Sequence, residues 1–363
     1  MGSTAIKMNA LLEKAKLQYG QKLPFVLYNK PNAKKLIGIF QNDDSLNFAE
    51  DFHESGFVFA PFEGDEVVLI PENLSQVGIA DFEMHSHSKS DIEAEASEDS
   101  NAKAHFENLV QKGIDTINSG DFDKVVLSRK EEVGLTNFDF TSVFEKLLNE
   151  YPTAFTYCFF HPKTGLWFGA FSEQLLKVQG NVFQTMAVAG TQPFSENIVW
   201  AAKEQQEQLF VTDFILESLR GIVTEISVSE PYSMKAGNVV HIKTDIKGIL
   251  NSDSDMKEII QTLNPTPAVC GLPKDAAKKF ILNNEGYDRG YYSGFFGELN
   301  TNFETSENHT DLYVNLRCMQ IEQNHAVLYI GCGITKDSIP HKEWQETINK
   351  SMTMKQILAD SKK

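Results

Sequence analysis

Two short acidic motifs are the residues in this sequence best suited to chemistry. Glu204 and Glu207 stand three positions apart, Glu343 and Glu346 repeat that spacing, and Lys350 follows one helical turn later. Residues three or four apart share one face of a helix, so each motif predicts a stripe of carboxylates. Taken alone, such a pair is typical of a solvated charged face.

Apolar neighbours on both predicted helices favour a different interpretation. Residues 209–216 are largely apolar, and Trp344 and Ile348 give the second helix an apolar side. If two such helices meet, up to four carboxylates converge, and their mutual repulsion requires a cation. Mg²⁺ prefers oxygen ligands and commonly bridges protein carboxylates to an anionic substrate. The two motifs therefore predict a magnesium site that holds an anionic ligand.

Two other motifs carry weaker signals. His85 and His87 could suggest a metal site, but no third ligand stands at a known spacing, so they predict a solvated loop. Gly331 and Gly333 flank a cysteine but lack the third glycine of a dinucleotide-binding fingerprint. Their backbone N–H groups could still receive a carboxylate.

The elements that must position these residues indicate an α+β protein. Residues 1–101 predict short strands and turns, with a polar acidic loop at 83–101. After this loop, apolar spacing predicts a helix from Ala102 that ends at Gly120. Further helices are predicted at 142–150, about 197–220 and 342–358, and strands at 124–129, 154–160, 165–170 and 182–188. Because the strands largely follow one another as hairpins, the sheet should be mainly antiparallel.

The composition limits which kind of protein this can be and which partners it can bind. The chain has 363 residues, of which 41% are hydrophobic, so it can bury a sizeable core. Its net charge of −17 argues against nucleic acid or an anionic membrane as partner. Four sparse cysteines and the lack of a signal or transmembrane stretch predict a cytoplasmic protein. We expect one domain over 1–363, with 102–363 as its catalytic part.

Five segments in order resemble the chorismate-utilising enzymes, and within that family they are most similar to isochorismate synthases. The resemblance covers about residue 102 to the end, and the first hundred residues match no motif of the family. It implies a fold of two large, mostly antiparallel β-sheets packed together with helices outside. The segments are residues 121–129, 186–193, 264–277, 285–294 and 343–350.

The resemblance implies Mg²⁺-dependent chemistry on chorismate, in which a nucleophile adds at C2 while the C4 hydroxyl leaves. Lys124 matches the general base of the water-using branch, where the ammonia-using anthranilate branch typically has Gln. Its amine must spend time uncharged, which burial or a nearby cation, such as Arg129 or the metal, would favour. Glu173 matches the general acid and needs a raised pKa, although Ser172 stands where the family usually has Pro.

The same resemblance implies the rest of the site. Glu207 and Glu346 match metal ligands, with Glu204 and Glu343 as outer or water-mediated partners. Five positions resemble the holders of the substrate carboxylates: Tyr292, Arg317, Gly331, Gly333 and Lys350. Thr191 and His241 match residues that line the pocket, and Ala189 stands where aminodeoxychorismate synthases carry a nucleophilic Lys.

The sequence therefore predicts an isochorismate synthase that supplies a menaquinone or siderophore precursor, with no glutamine amidotransferase subunit. Three alternatives stay open. A salicylate synthase shares the base, acid and metal motifs and goes on to eliminate pyruvate. An anthranilate-type subunit and a non-catalytic chorismate-binding protein are the others.

Overall fold

The computed structural model describes residues 4–83, 99–236 and 239–359. His85, His87 and most of the predicted acidic loop lie outside these residues. Within them, no helix is both long and apolar enough to cross a membrane.

Four of the described helices were predicted from the sequence, and three others, over residues 8–20, 256–263 and 274–284, were not. The helix over residues 100–119 is capped by Gly120, whose φ of 88° is the left-handed conformation that favours glycine. The helix predicted at about 197–220 begins at Ala202, later than expected. The described helices are α1 (Met8–Gly20), α2 (Ser100–Ser119), α3 (Phe140–Glu150), α4 (Ala202–Ser218), α5 (Met256–Leu263), α6 (Lys274–Asn284) and α7 (Pro340–Ile357).

Twenty strands account for most of the rest of the described chain. They are β1 (Thr4–Ala5), β2 (Phe25–Asn29), β3 (Lys35–Gln41), β4 (Asn47–Phe48), β5 (Gly56–Ala60), β6 (Val68–Pro71), β7 (Ser75–Asp81), β8 (Lys124–Gly134), β9 (Phe155–His161), β10 (Gly165–Phe171), β11 (Gln174–Gln179), β12 (Val182–Pro193), β13 (Val223–Val228), β14 (Tyr232–Ala236), β15 (Val239–Leu250), β16 (Gly271–Leu272), β17 (Phe295–Leu299), β18 (Thr310–Val314), β19 (Cys318–Glu322) and β20 (His325–Ile334).

These strands form two large sheets, which confirms the predicted fold class. The first has the order β1-β7-β3-β2-β9-β10-β19-β20-β8-β16, and the second has the order β13-β15-β12-β11-β18-β17-β5-β6-β4, with β14 beside β15. Among the described pairs only β1 and β7 run parallel. The N-terminal strands enter both sheets, since β2 pairs with β9 and β5 pairs with β17.

An aromatic layer joins the two sheets. Phe59 of the second sheet stacks on Phe159 of the first at 4.4 Å, and Phe155 meets Phe296 edge-on at 5.0 Å. Alternate residues of a strand point to opposite faces, so Phe160 instead packs toward α1 and α3. Helices α4 and α5 cover the outer face of the second sheet, and α2, α6 and α7 cover β8 and β20.

Candidate active site

One cavity is lined by residues from both sheets and by two helices. Strands β12 and β15 of the second sheet and β20 of the first contribute to its wall, together with α4 and α7. The predicted site residues that line it are Glu173, Thr191, Glu204, Glu207, His241, Tyr292, Arg317, Gly331, Gly333, Glu346 and Lys350. The other two, Lys124 and Glu343, lie behind this wall and are ion-paired to the lining residues Glu207 and Lys203.

A bulge in β12 lets helix α4 approach the cavity. The pairing of β12 with β15 shifts register between Ala189 and Thr191, and Gly190 between them has a φ of 73°. A Cβ at Gly190 would lie 2.9 Å from Cβ of Glu204. Glycine is therefore required for the first turn of α4 to pack here, and that turn brings Glu204 and Glu207 to the cavity.

Buried Lys124 reaches α4 from the first sheet. It is the first residue of β8, has no exposed surface, and places Nζ 2.9 Å from Oε1 of Glu207. Burial raises the pKa of Glu207, but Lys124, Lys203 and Lys350 more than offset this and lower it overall. A Cβ at Gly333 would lie 2.4 Å from Oε1 of Glu207, so this glycine makes room for the pair.

Arg129 does not supply the cation that was expected near Lys124. The two residues are an odd number of positions apart on β8, so their side chains point to opposite faces of the strand. Arg129 Nη1 pairs with Glu131 at 2.9 Å, and its guanidinium stacks on Trp344 at 4.5 Å. That expectation is wrong.

Glu173 has the environment expected of a general acid. It stands between β10 and β11, lines the cavity and is only 4% exposed. Burial raises its pKa to about 8, against an opposing effect of Lys124. The carboxyl group therefore holds its proton at neutral pH. Ser172, in place of the family's usual Pro, still leaves Glu173 at the cavity.

The acidic motifs on α4 and α7 do meet, but lysines balance much of their charge. Lys203 Nζ lies 2.8 Å from Glu343 Oε1, and Lys350 Nζ lies 2.6 Å from Glu346 Oε1. Within the described ranges, no three Asp, Glu, His or Cys side chains are grouped closely enough to hold a metal ion as they stand. The unrelieved repulsion expected from the sequence is therefore not present, because ion pairs replace it.

The cavity nevertheless offers oxygen atoms that suit Mg²⁺. Oε2 of Glu204 is buried without a hydrogen-bond partner in the described part of the chain. Glu207 and Glu346 reach the same cavity. Mg²⁺ is usually held by one or two carboxylates while it keeps waters and binds substrate anions. These residues fit such an ion.

Positive groups and an open strand edge also line the cavity. Arg317, whose φ is 48°, donates through Nη1 to the carbonyl oxygen of Lys350 and to Thr353 Oγ1, both at 3.2 Å. Lys350 Nζ also donates to the carbonyl oxygen of Gly331 at 3.0 Å. The wall can therefore attract an anionic ligand.

Gly331 and Gly333 lie inside β20 and not in a turn. Pairing between β19 and β20 ends at Tyr329, so β19 leaves this edge of β20 open at both glycines. Their partners on β8 are Ser128 and Val126, whose N–H groups bond on the other side of β8. The amides of the two glycines therefore face the open edge, as the predicted carboxylate contact requires.

His241 presents an unpartnered nitrogen at the cavity. Burial lowers its pKa to about 3, with Arg317 and Lys350 contributing, so the ring is neutral at pH 7. Nδ1 lies 3.2 Å from the carbonyl oxygen of Gly190 and 3.1 Å from Thr191 Oγ1. A carbonyl oxygen only accepts, so Nδ1 carries the proton and Nε2 is an acceptor. Nε2 is buried and unpartnered within the described residues.

Sequence reasoning missed Lys203. It lines the cavity and links α4 to Glu343 of α7. Burial lowers its pKa, but Glu343, Glu207 and Glu346 outweigh this and raise it overall. The signal was available, because Lys203 stands four positions before Glu207 and so shares its helix face.

Comparison with known proteins decides the family. A family model described as chorismate binding enzyme matches residues 68–359. The chain belongs to this family. The match begins in β6, earlier than the motifs of the sequence suggest.

Curated relatives of this chorismate binding enzyme include both branches of the chemistry. Isochorismate synthase EntC of Escherichia coli is 29% identical over 261 residues, which cover 69% of this chain and 66% of that protein. Anthranilate synthase component 1 of Lactococcus lactis is 28% identical over 265 residues, covering 68% and 57%. The chain thus matches less than two thirds of the length of these relatives.

Solved structures share the fold over nearly the whole chain. A Bacillus anthracis structure described as a 2,3-dihydroxybenzoate-specific isochorismate synthase, DhbC, has a TM-score of 0.77 and 21% identity, covering 97% of this chain and 99% of that one. MenF, the menaquinone-specific isochorismate synthase from Escherichia coli, has a TM-score of 0.75 and 20% identity, covering 93% and 89%. At these identities the likeness establishes the fold alone.

Proposed function

We propose that this chorismate binding enzyme is an isochorismate synthase, an isomerase that adds water at C2 of chorismate while the C4 hydroxyl leaves as water. One observation carries the proposal. A buried carboxyl group, Glu173, whose pKa is raised to about 8, lines the cavity, and a buried lysine amine, Lys124, is paired with the cavity residue Glu207. Such a pair can take one proton and give another.

Lys124 acts as the general base. Its Nζ removes a proton from water as the oxygen of that water bonds to C2 of the ring. In the structure the amine is paired with Glu207. That pairing suits an ammonium, so base action requires the pair to loosen when substrate binds.

Glu173 acts as the general acid. As the C2–O bond forms, the two ring double bonds shift, the C4–O bond breaks, and Glu173 gives its proton to the departing hydroxyl. Its raised pKa supports this role, because an ionised carboxylate has no proton to give.

The pair also accounts for reversibility. The forward reaction begins with a neutral Lys124 and a protonated Glu173. It ends with a protonated Lys124 and an ionised Glu173. The reverse reaction begins where the forward one ends, so each group serves as acid in one direction and as base in the other. The total number of protons on the two groups is the same before and after turnover.

Positive groups and the open β20 edge hold the substrate. Chorismate is a dianion, and Arg317 can bind a carboxylate through two parallel N–H groups. Lys350 and the amides of Gly331 and Gly333 supply further donors. Glu204, Glu207 and Glu346, with Glu343 behind them, would hold Mg²⁺. When bound, the ion neutralises a substrate carboxylate and fixes its position.

The water-using reaction is favoured over the ammonia-using one by the residue at position 124. Sequence identity does not separate the branches, since it is 29% to one relative and 28% to the other. A lysine amine can accept a proton from water, whereas ammonia is already nucleophilic and needs no base. Lys124 therefore supports isochorismate over anthranilate as product.

The test is product chromatography after the protein is incubated with chorismate and Mg²⁺. We expect isochorismate, and no anthranilate when excess ammonium is added at alkaline pH. Salicylate would instead identify a salicylate synthase, and fluorescent anthranilate at a rate comparable with chorismate loss would move the protein to the other branch. If chorismate is not converted, the protein would instead be a non-catalytic chorismate-binding protein. Lys124→Ala, which lacks the proposed base, serves as the negative control.

A further inference from the structure

Strand β8 carries Lys124 but has an incomplete neighbour on its outer edge. Strand β16 pairs with it only through Gly271 and Leu272, opposite Val125 and Lys124. Gly271 can approach so closely because it lacks a side chain: a Cβ there would lie 2.2 Å from the carbonyl oxygen of Lys124. Past Val126, no residue of β16 remains to pair with the edge of β8.

Two charged side chains take the place of the missing strand. Arg289 Nη2 donates to the carbonyl oxygen of Val126 at 2.7 Å, and Glu285 Oε1 accepts from the N–H of Ser128 at 2.7 Å. These are the groups that a continued antiparallel strand would have paired. Both side chains belong to residues 285–294, the segment that also contributes Tyr292 to the cavity wall.

The two side chains form one rigid unit. Arg289 and Glu285 are joined by bonds from Nε to Oε2 at 2.8 Å and from Nη2 to Oε1 at 2.5 Å, and each side chain is 1% exposed. Glu285 Oε1 also accepts from Ser128 Oγ at 3.0 Å. A buried pair with every donor engaged resists displacement.

This unit also contacts the cavity wall. Arg289 Nη1 donates to the carbonyl oxygen of Val269 at 3.0 Å, and its guanidinium lies 5.6 Å from the ring of Tyr292. Val126, Val269 and Tyr292 all line the cavity. The pair therefore contacts the backbone of β8 two residues after Lys124 and two other parts of the wall.

We propose that Glu285 and Arg289 are positioning residues that replace a β-strand along the edge of β8 and so hold Lys124 in place behind the cavity wall, against Glu207. This role rests on the proposed function for its effect on turnover. Neither residue lines the cavity, so they act through the backbone of β8. Displacement of a catalytic group by about an ångström can cost on the order of a hundredfold in rate.

The test compares Glu285→Gln and Arg289→Lys with Glu131→Gln. Glu131 lies on the same strand and pairs with Arg129 and Lys355, but it lies outside the cavity wall. Arg289→Lys keeps the charge but cannot reach Val126, Val269 and Glu285 together. For both edge variants we expect hydrogen exchange at the Ser128 amide, which donates to Glu285 Oε1, to rise about tenfold or more. We expect kcat to fall about tenfold or more while KM stays within about twofold.

The control should lower thermal stability while leaving exchange at the Ser128 amide and kcat as in the wild type. Exchange at wild-type rates in both edge variants overturns the proposal, and so does raised exchange with unchanged kcat, since the pair would then be only structural. If the wild type does not convert chorismate, the proposed function fails, and the exchange comparison alone decides whether the pair holds the strand.

Discussion

Lys124 and Glu207 are joined by an ion pair of 2.9 Å that links the first sheet to the helix packed on the second. Lys124 is fully buried, so loss of either partner would leave a charge without compensation inside the protein. The pair joins the proposed base to a proposed metal ligand. Changes at either residue should therefore affect both stability and turnover.

Replacing Lys124 should remove catalysis without removing substrate binding. We expect Lys124→Ala and Lys124→Gln to lower kcat about a hundredfold or more with a smaller change in KM, because proton transfer acts in the transition state. Steady-state rates of isochorismate formation provide the measurement. Lys35→Ala is the matched control, since Lys35 also begins a strand and pairs with an aspartate, Asp81, but is exposed. Near-normal kcat in Lys124→Ala would refute the assignment.

Glu173 should set the alkaline limit of the forward reaction. Its pKa of about 8 means that the carboxyl group is protonated below that pH and loses its proton above it. The rate should therefore fall as pH rises through about 8, and Glu173→Gln should lose most activity together with this limb. A pH–rate profile that keeps the same alkaline limb in Glu173→Gln would contradict the role.

Glu173 should also reduce stability near neutral pH. A pKa raised by burial makes the folded state bind a proton that the unfolded state has released, so stability falls as pH rises from about 4.5 toward 8. Glu173→Gln removes the free-energy cost of burying an ionised carboxylate at this position. We expect its melting temperature to exceed that of the wild type by a few degrees at pH 8, with the difference vanishing near pH 4. Equal melting curves at both pH values would show that the burial cost is absent.

Removal of Mg²⁺ should abolish activity. In Glu207→Gln the activity should be lost even when Mg²⁺ is present. Activity lost in EDTA should return with Mg²⁺ for the wild type but not for Glu207→Gln or Glu346→Gln. Glu207→Gln should also be less stable by about 3 kcal/mol, because it leaves buried Lys124 unpaired. Glu217→Gln, an exposed change on the same helix, is the control. Full activity in a metal-free sample would exclude a metal role.

Gly333 should not accept a side chain. A Cβ there would lie 2.4 Å from Oε1 of Glu207 and 3.2 Å from Cε of Lys124, so Gly333→Ala must displace the ion pair. We expect kcat to fall about tenfold or more while the far-ultraviolet spectrum is unchanged. Gly20→Ala, where no atom lies within 4 Å of the new Cβ, is the control. Wild-type kcat in Gly333→Ala would show that the close approach is not needed.

Much of the fold was accessible from the sequence. Short, largely apolar runs predicted strands such as β9 and β10, and the spacing of apolar residues predicted α2 and α7, because these local patterns follow from backbone geometry. Helices α1, α5 and α6 were not predicted, although their buried positions also recur at helical spacings. The pairing of β2 with β9 and of β5 with β17 joins residues far apart in the chain, and no local pattern encodes such partners.

The sequence by itself determined the chemical inventory of the site: two carboxylate pairs on helices and, through resemblance, a lysine and a glutamate in the roles of base and acid. Only the tertiary structure decided how their charges are balanced. Lys203, Lys350 and Lys124 each meet a carboxylate of a predicted metal site, and Arg129 points away from Lys124. The reason is physical. Ionisation depends on burial and on distances between charges, and these arise only when distant segments pack together.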